Sequence, residues 1–124
     1  KTLSGATVSG AAGATPTANV LYTDSVVKGW VETSGAGAWT IDDDLNVSSI
    51  TDNGTGDFTV NWATAFASAN YAVTALSDAD VATVDVNDGT TKSTTAVRFI
   101  VRGFTSTGVK DPERGINIMA IGDQ

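Results

Sequence analysis

Oxygen-bearing side chains crowd three stretches of this sequence, and each has a chemistry worth weighing. The first is Asp42-Asp43-Asp44, the densest acidic cluster. Three carboxylates suit a hard cation such as Ca²⁺ or Mg²⁺. Successive strand residues point to opposite faces, so the three converge only where the chain turns, and a solvated turn is the expectation. The second is SSITDNGTGDFTVNW, residues 48–62. Its Asp52 to Asp57 segment departs from calcium-loop spacing, because Asn53 follows Asp52 directly and no Glu closes the loop. Asn53-Gly54 between alternating flanks is a hairpin signal, since both residues tolerate positive φ. The third runs from Asp78 and Asp80 through Asp85 to VNDGTTKST. DGTTKST lacks the first glycine spacing of a phosphate loop and has no βαβ context. A long surface loop is expected over 87–94, and such loops often carry binding function. Asp88, Thr90, Thr91 and Lys92 are its candidate contact residues.

Composition removes other chemistries. The 124 residues contain no histidine and no cysteine. Serine-histidine nucleophilic catalysis, the usual zinc sites and thiolate chemistry are therefore outside the repertoire. Carboxylate pairs could hydrolyse glycans only at a fixed separation across a cleft, and nothing in the spacing places such a pair. No catalytic residue, metal site or cofactor is expected. Asn46-Val-Ser and Asn53-Gly-Thr match the glycosylation pattern, which matters only in a eukaryotic secretory setting.

Seven basic residues face fourteen acidic ones, for a net charge of −7. The basic residues are scattered, so no stripe tracks a phosphate backbone and no nucleic-acid partner is expected. Acidic surfaces are repelled by anionic membranes, and no apolar run is long enough to span one. The chain begins with Lys1, so a fragment or processed product is expected.

Threonine, valine, alanine and glycine dominate, and the usual helix formers are scarce. Residues 1–23 are rich in Gly, Ala, Ser and Thr and are too poor in large apolar groups to fold alone. They read as a linker, a disordered tail, or an extended segment lying on a neighbouring subunit. From residue 24 onward, period-two segments recur between turn signals. Strands are expected at 25–33, from Trp39 onward, 45–51, 57–62, 71–77, 81–86, 95–104 and 116–121, with a helical turn possible only at 63–70. One domain over 24–124 follows, an all-β antiparallel sandwich of seven or eight short strands, jelly-roll-like.

Alternation assigns faces. Phe58, Val60 and Trp62 share one side of their strand; Val97, Phe99 and Val101 share one side of another. Val27 and Val31 look inward, which puts Trp30 outside beside Lys28 and Glu32. Ile100 falls on the outer side between Arg98 and Arg102. An outward Trp or Ile among charges points to a subunit interface, a ligand contact, or a surface covered by the chain's own N-terminal segment. Trp30 and Trp39 are also candidates for stacking on sugar rings, against packing as the plainer reading.

Several segments together resemble a known family. Lys28-Gly29-Trp30-Val31, the run Asn46 to Trp62, and Ala69-Asn70-Tyr71 occur in the order seen in a C-terminal domain of bacteriophage tail fibres and related virion proteins. Gly29 stands where that pattern has alanine, a small change on the inward face. The resemblance implies a non-enzymatic virion component, a homotrimer, with other virion tail proteins and a host cell-surface polysaccharide or protein receptor as partners. Trp30 and Ile100 would then lie in the trimer interface. It also leaves room for a purely structural virion module such as a head fibre, capsid decoration or trimerisation cap. Residues 78–95 and 105–115 match least and are where host-specific contacts would sit.

Overall fold

The computed structural model describes residues 25–34, 39–78, 82–87, 92–103 and 115–124. Eight strands form: β1 (Val27–Ser34), β2 (Thr40–Leu45), β3 (Val47–Gly54), β4 (Asp57–Trp62), β5 (Ala72–Ser77), β6 (Ala82–Val86), β7 (Ala96–Gly103) and β8 (Ile116–Ile121). They make two four-stranded antiparallel sheets, ordered β2-β1-β8-β5 and β3-β4-β7-β6. The molecule is an all-β sandwich.

The alternation read from the sequence sets the core. Phe58, Val60 and Trp62 of β4 and Val97, Phe99 and Val101 of β7 are buried from one sheet. Val31 of β1 and Ile116, Ile118 and Ala120 of β8 meet them from the other. Fully burying a Val, Ile or Phe is worth about 1.5–3 kcal/mol, so these two strand pairs are the principal apolar contribution. Phe58 and Phe99 stack across β4 and β7 with ring centroids 5.4 Å apart. At one end, Trp62, Phe66 and Tyr71 form an aromatic cluster; Phe66 and Tyr71 stack at 4.1 Å. The Trp62 Nε1–H donates to the Tyr71 hydroxyl (3.2 Å), which donates to the Ala96 carbonyl (3.1 Å). Thr33 is the buried polar side chain of the inner face. Its Oγ1 donates to the Ile116 carbonyl and accepts from the Ile116 N–H, locking β1 against β8.

Four local expectations need correction. The segment 45–51 is not one strand: Asn46, at φ 61°, turns the chain from β2 into β3. Asparagine tolerates that left-handed conformation, and here its side chain fixes it. Asn46 Oδ1 accepts from the Thr64 N–H (2.7 Å) and Nδ2 donates to the Thr64 carbonyl (3.1 Å). Second, 63–70 forms no helix, and a turn appears only at Ala69 and Asn70. Three of its N–H groups are spent on distant carbonyls: Ala63 to Asn46, Phe66 to Thr94 and Ala67 to Asp123.

Third, Asp42, Asp43 and Asp44 lie in strand β2 rather than in a turn. Ladder register slips there, Glu32 pairing with Asp43 and Thr33 with Ile41, so Asp42 is the extra residue of a bulge. Each carboxylate serves its own neighbour: Asp42 accepts from Ser34 Oγ, Asp43 from the Asp44 N–H, Asp44 from the Val47 N–H. Fourth, the hairpin does not turn at Asn53-Gly54. Gly54 pairs with Asp57, leaving Thr55 and Gly56 as the two-residue loop. Gly56, at φ 61°, supplies the left-handed conformation, while Asn53 is the extra residue of a bulge. The register shift moves the turn two residues along.

Candidate functional site

The outer face of the first sheet is the strongest candidate contact surface. Register aligns Leu45, Trp30, Met119 and Thr74 in one row across β2, β1, β8 and β5. Trp30, Met119 and Thr74 sit outward because the residues before and after each along its strand face the core, and Leu45 shares their face because it pairs with Trp30. Leu45 is 46 % exposed, Met119 43 % and Leu76, one step along β5, 72 %. A shallow, mostly apolar groove of about 210 Å³ runs between Trp30, Thr74, Leu76, Asn117 and Met119. A second, of about 110 Å³, adjoins it past Ala72, Met119 and Ile121. Acidic residues flank the row on one side, where Glu32 pairs with Asp43. The Asn117 amide beyond them donates to Asp78 Oδ1 (2.8 Å). Apolar centre with polar rim is the anatomy of a protein–protein contact.

The other sequence-derived candidates fare differently. Trp30 is on this face, partly buried, as the alternation required. Trp39 is committed elsewhere: its ring lies 4.0 Å from that of Phe58, centroid to centroid, and packs on the core. The ring is partly buried, so one side of it is given to packing. Lys92 is also engaged, its ammonium donating to the Tyr71 carbonyl and lying 4.9 Å from the centre of the Tyr71 ring. Ile100 does face away from the core cluster but is only 8 % exposed, so it offers little area to a partner. Asp88, Thr90 and Thr91 lie outside the described residues. Leu45, Leu76 and Met119 were missed because outward position is legible in one strand, whereas their adjacency depends on strand order.

The outer face of the second sheet is polar and satisfied from within. Asn61 Nδ2 reaches Ser49 Oγ (3.1 Å) and Thr51 Oγ1 (3.0 Å) across β3 and β4. Asn53 Nδ2 donates to Thr59 Oγ1 (2.9 Å) and Asp57 Oδ1 (3.2 Å). Arg98 grips Asp57 with two parallel bonds, Nε to Oδ1 at 2.7 Å and the second guanidinium nitrogen to Oδ2. That bidentate pair, aided by the Asn53 amide, holds the Asp57 carboxyl below its ordinary range against the opposing effect of burial. Among the described residues, no cluster of three or more Asp or Glu side chains is arranged to hold a metal ion. Nor is any described helix long and apolar enough to cross a membrane.

No protein-family model, curated protein or solved structure matches this chain.

Proposed function

We propose that this chain is a non-enzymatic domain of a bacteriophage tail fibre that assembles as a homotrimer and serves host attachment. The observation that carries the reading is the run Asn46 to Trp62, which resembles the framework motif of such domains. Here that run builds the β3–β4 hairpin: Phe58, Val60 and Trp62 enter the core while Ser49, Thr51, Thr59 and Asn61 make the outer ladder. The row Leu45–Trp30–Met119 supports assembly, because it is an apolar surface on an otherwise strongly acidic protein. Three copies make weak contacts with a surface polysaccharide or protein sufficient, since later contacts are intramolecular and avidity gains roughly 10²–10⁴.

A structural virion role, as head fibre, decoration or trimerisation cap, is the second reading. It is favoured by the engagement of Trp39 and Lys92 in the framework, which leaves less of each side chain to meet a receptor. Binding of the isolated protein to glycan arrays and to whole bacterial cells separates the two. Binding that persists in competition with unrelated acidic proteins supports attachment. Absence of binding, with retention on virions, supports the structural role, and release of reducing sugar ends would point to an enzyme instead.

A further inference from the structure

Asn53-Gly54 is the one Asn-Gly dipeptide of the chain, and its geometry is unusual in a chemically specific way. In an unrestrained chain, the backbone nitrogen after an asparagine attacks the side-chain carbonyl carbon. A new N–C bond closes a succinimide ring, the Cγ–Nδ2 bond breaks, and ammonia leaves. Water then opens the ring to aspartate or isoaspartate. Glycine at the second position offers least steric resistance, so Asn-Gly reacts most readily.

Both partners in that reaction are held here. The would-be nucleophile, the Gly54 N–H, donates to Asp52 Oδ1 at 2.8 Å. The would-be leaving group, Asn53 Nδ2, is pinned by Thr59 Oγ1 and Asp57 Oδ1. All of Asp52, Asn53 and Gly54 are exposed, so water has access and exclusion of solvent protects nothing. Asn53 is also the bulged residue, which frees its amide to reach back across the hairpin.

We propose that Asn53-Gly54 is a self-modification site held shut by its neighbours, with Asp52 as the clamp on the nucleophile and Thr59 and Asp57 as the clamp on the leaving group. Opening it has a structural consequence. The product carboxylate at position 53 replaces a donor to Asp57 with a like charge, beside a group already bonded to Arg98. Conversion would therefore loosen the β3–β4 hairpin tip and age the domain in a defined place.

The test is incubation of the full 124-residue chain at mildly alkaline pH, with peptide mapping by mass spectrometry for the exchange of NH₂ for OH at residue 53. A synthetic peptide of residues 50–58 serves as the unrestrained reference, and circular dichroism checks that every variant is folded. The folded chain should convert at least roughly tenfold more slowly than the peptide, the factor that one charge-assisted hydrogen bond corresponds to. Asp52→Ala and Thr59→Val should each accelerate conversion in the folded chain, and Asp52→Asn, which keeps an acceptor, should fall between. Equal rates for folded chain and peptide would overturn the proposal. So would a slower Asp52→Ala chain, which would make the carboxylate a base that assists attack.

Discussion

Trp62 occupies the space that a side chain at residue 29 would need. A Cβ built on Gly29 falls 2.7 Å from Cζ3 of the Trp62 ring. The two residues belong to different sheets, so the distance between the sheets at this end is set by glycine against indole. Alanine at this position is thus not a small change in this chain. Trp62 cannot swing freely, because Tyr71 accepts its N–H and Phe66 packs on its edge.

Gly29→Ala should therefore lower stability by about 1–3 kcal/mol, the usual cost of overpacking a filled core. Urea denaturation of the variant checks it, and an unchanged midpoint would mean that the ring relocates without cost.

Thr33→Val should cost about 1–3 kcal/mol, since it keeps the shape but strands the Ile116 N–H and carbonyl that the hydroxyl serves. Thr33→Ser should retain more of the stability. Equal loss in both variants would assign the effect to packing.

Acid should weaken the hairpin tip. The folded-state pKa of Asp57 is depressed, so its contribution is present above the unfolded value and lost as pH falls through the folded one. The loss should begin as pH drops below about 4. Asp57→Asn should be less stable than the parent at neutral pH and should show a flatter acid limb in thermal melts taken across that range.

Burial pushes the Tyr71 phenol up, partly offset by the bond from Trp62. A raised folded-state pKa keeps the neutral phenol, so its contribution is present below about pH 10 and lost as pH rises through the folded value. Ultraviolet titration should show one of the two tyrosines ionising late. Tyr71→Phe should remove that late step and, by orphaning Trp62 Nε1, cost about 1–3 kcal/mol.

Light scattering tests the outer face of the first sheet. The wild-type protein should give three times the 12.6 kDa chain mass, and Trp30→Ala or Met119→Lys should shift it toward one chain with the fold intact by circular dichroism. A wild-type mass of one chain across a wide concentration range would remove the assembly reading.

Much of the fold was legible because strand alternation is a local, period-two property. Phe58, Val60 and Trp62, and Val97, Phe99 and Val101, announce their buried faces within six residues of sequence. The placement of Trp30 on an outer face follows from the same rule. The misread elements share one cause. Asp42 and Asn53 are bulged residues and Asn46 is a one-residue corner. Each is fixed by a partner strand or by contacts with Thr64, and none leaves a mark in its own local pattern.

The class of fold, the inward faces of its main strands, the net acidity and the absence of histidine and thiol chemistry can all be read along the chain. Those depend on residue identity and on spacing along one strand. Which outward residues become neighbours is settled by the packing of the two sheets. Leu45, Trp30 and Met119 meet because β8 inserts beside β1, and Asp57 finds Arg98 because β4 pairs with β7. Thr33 meets Ile116 for the same reason, 83 residues along the chain. Strand order and register are long-range choices made by the whole packed sandwich, and a one-residue slip would exchange one face for the other.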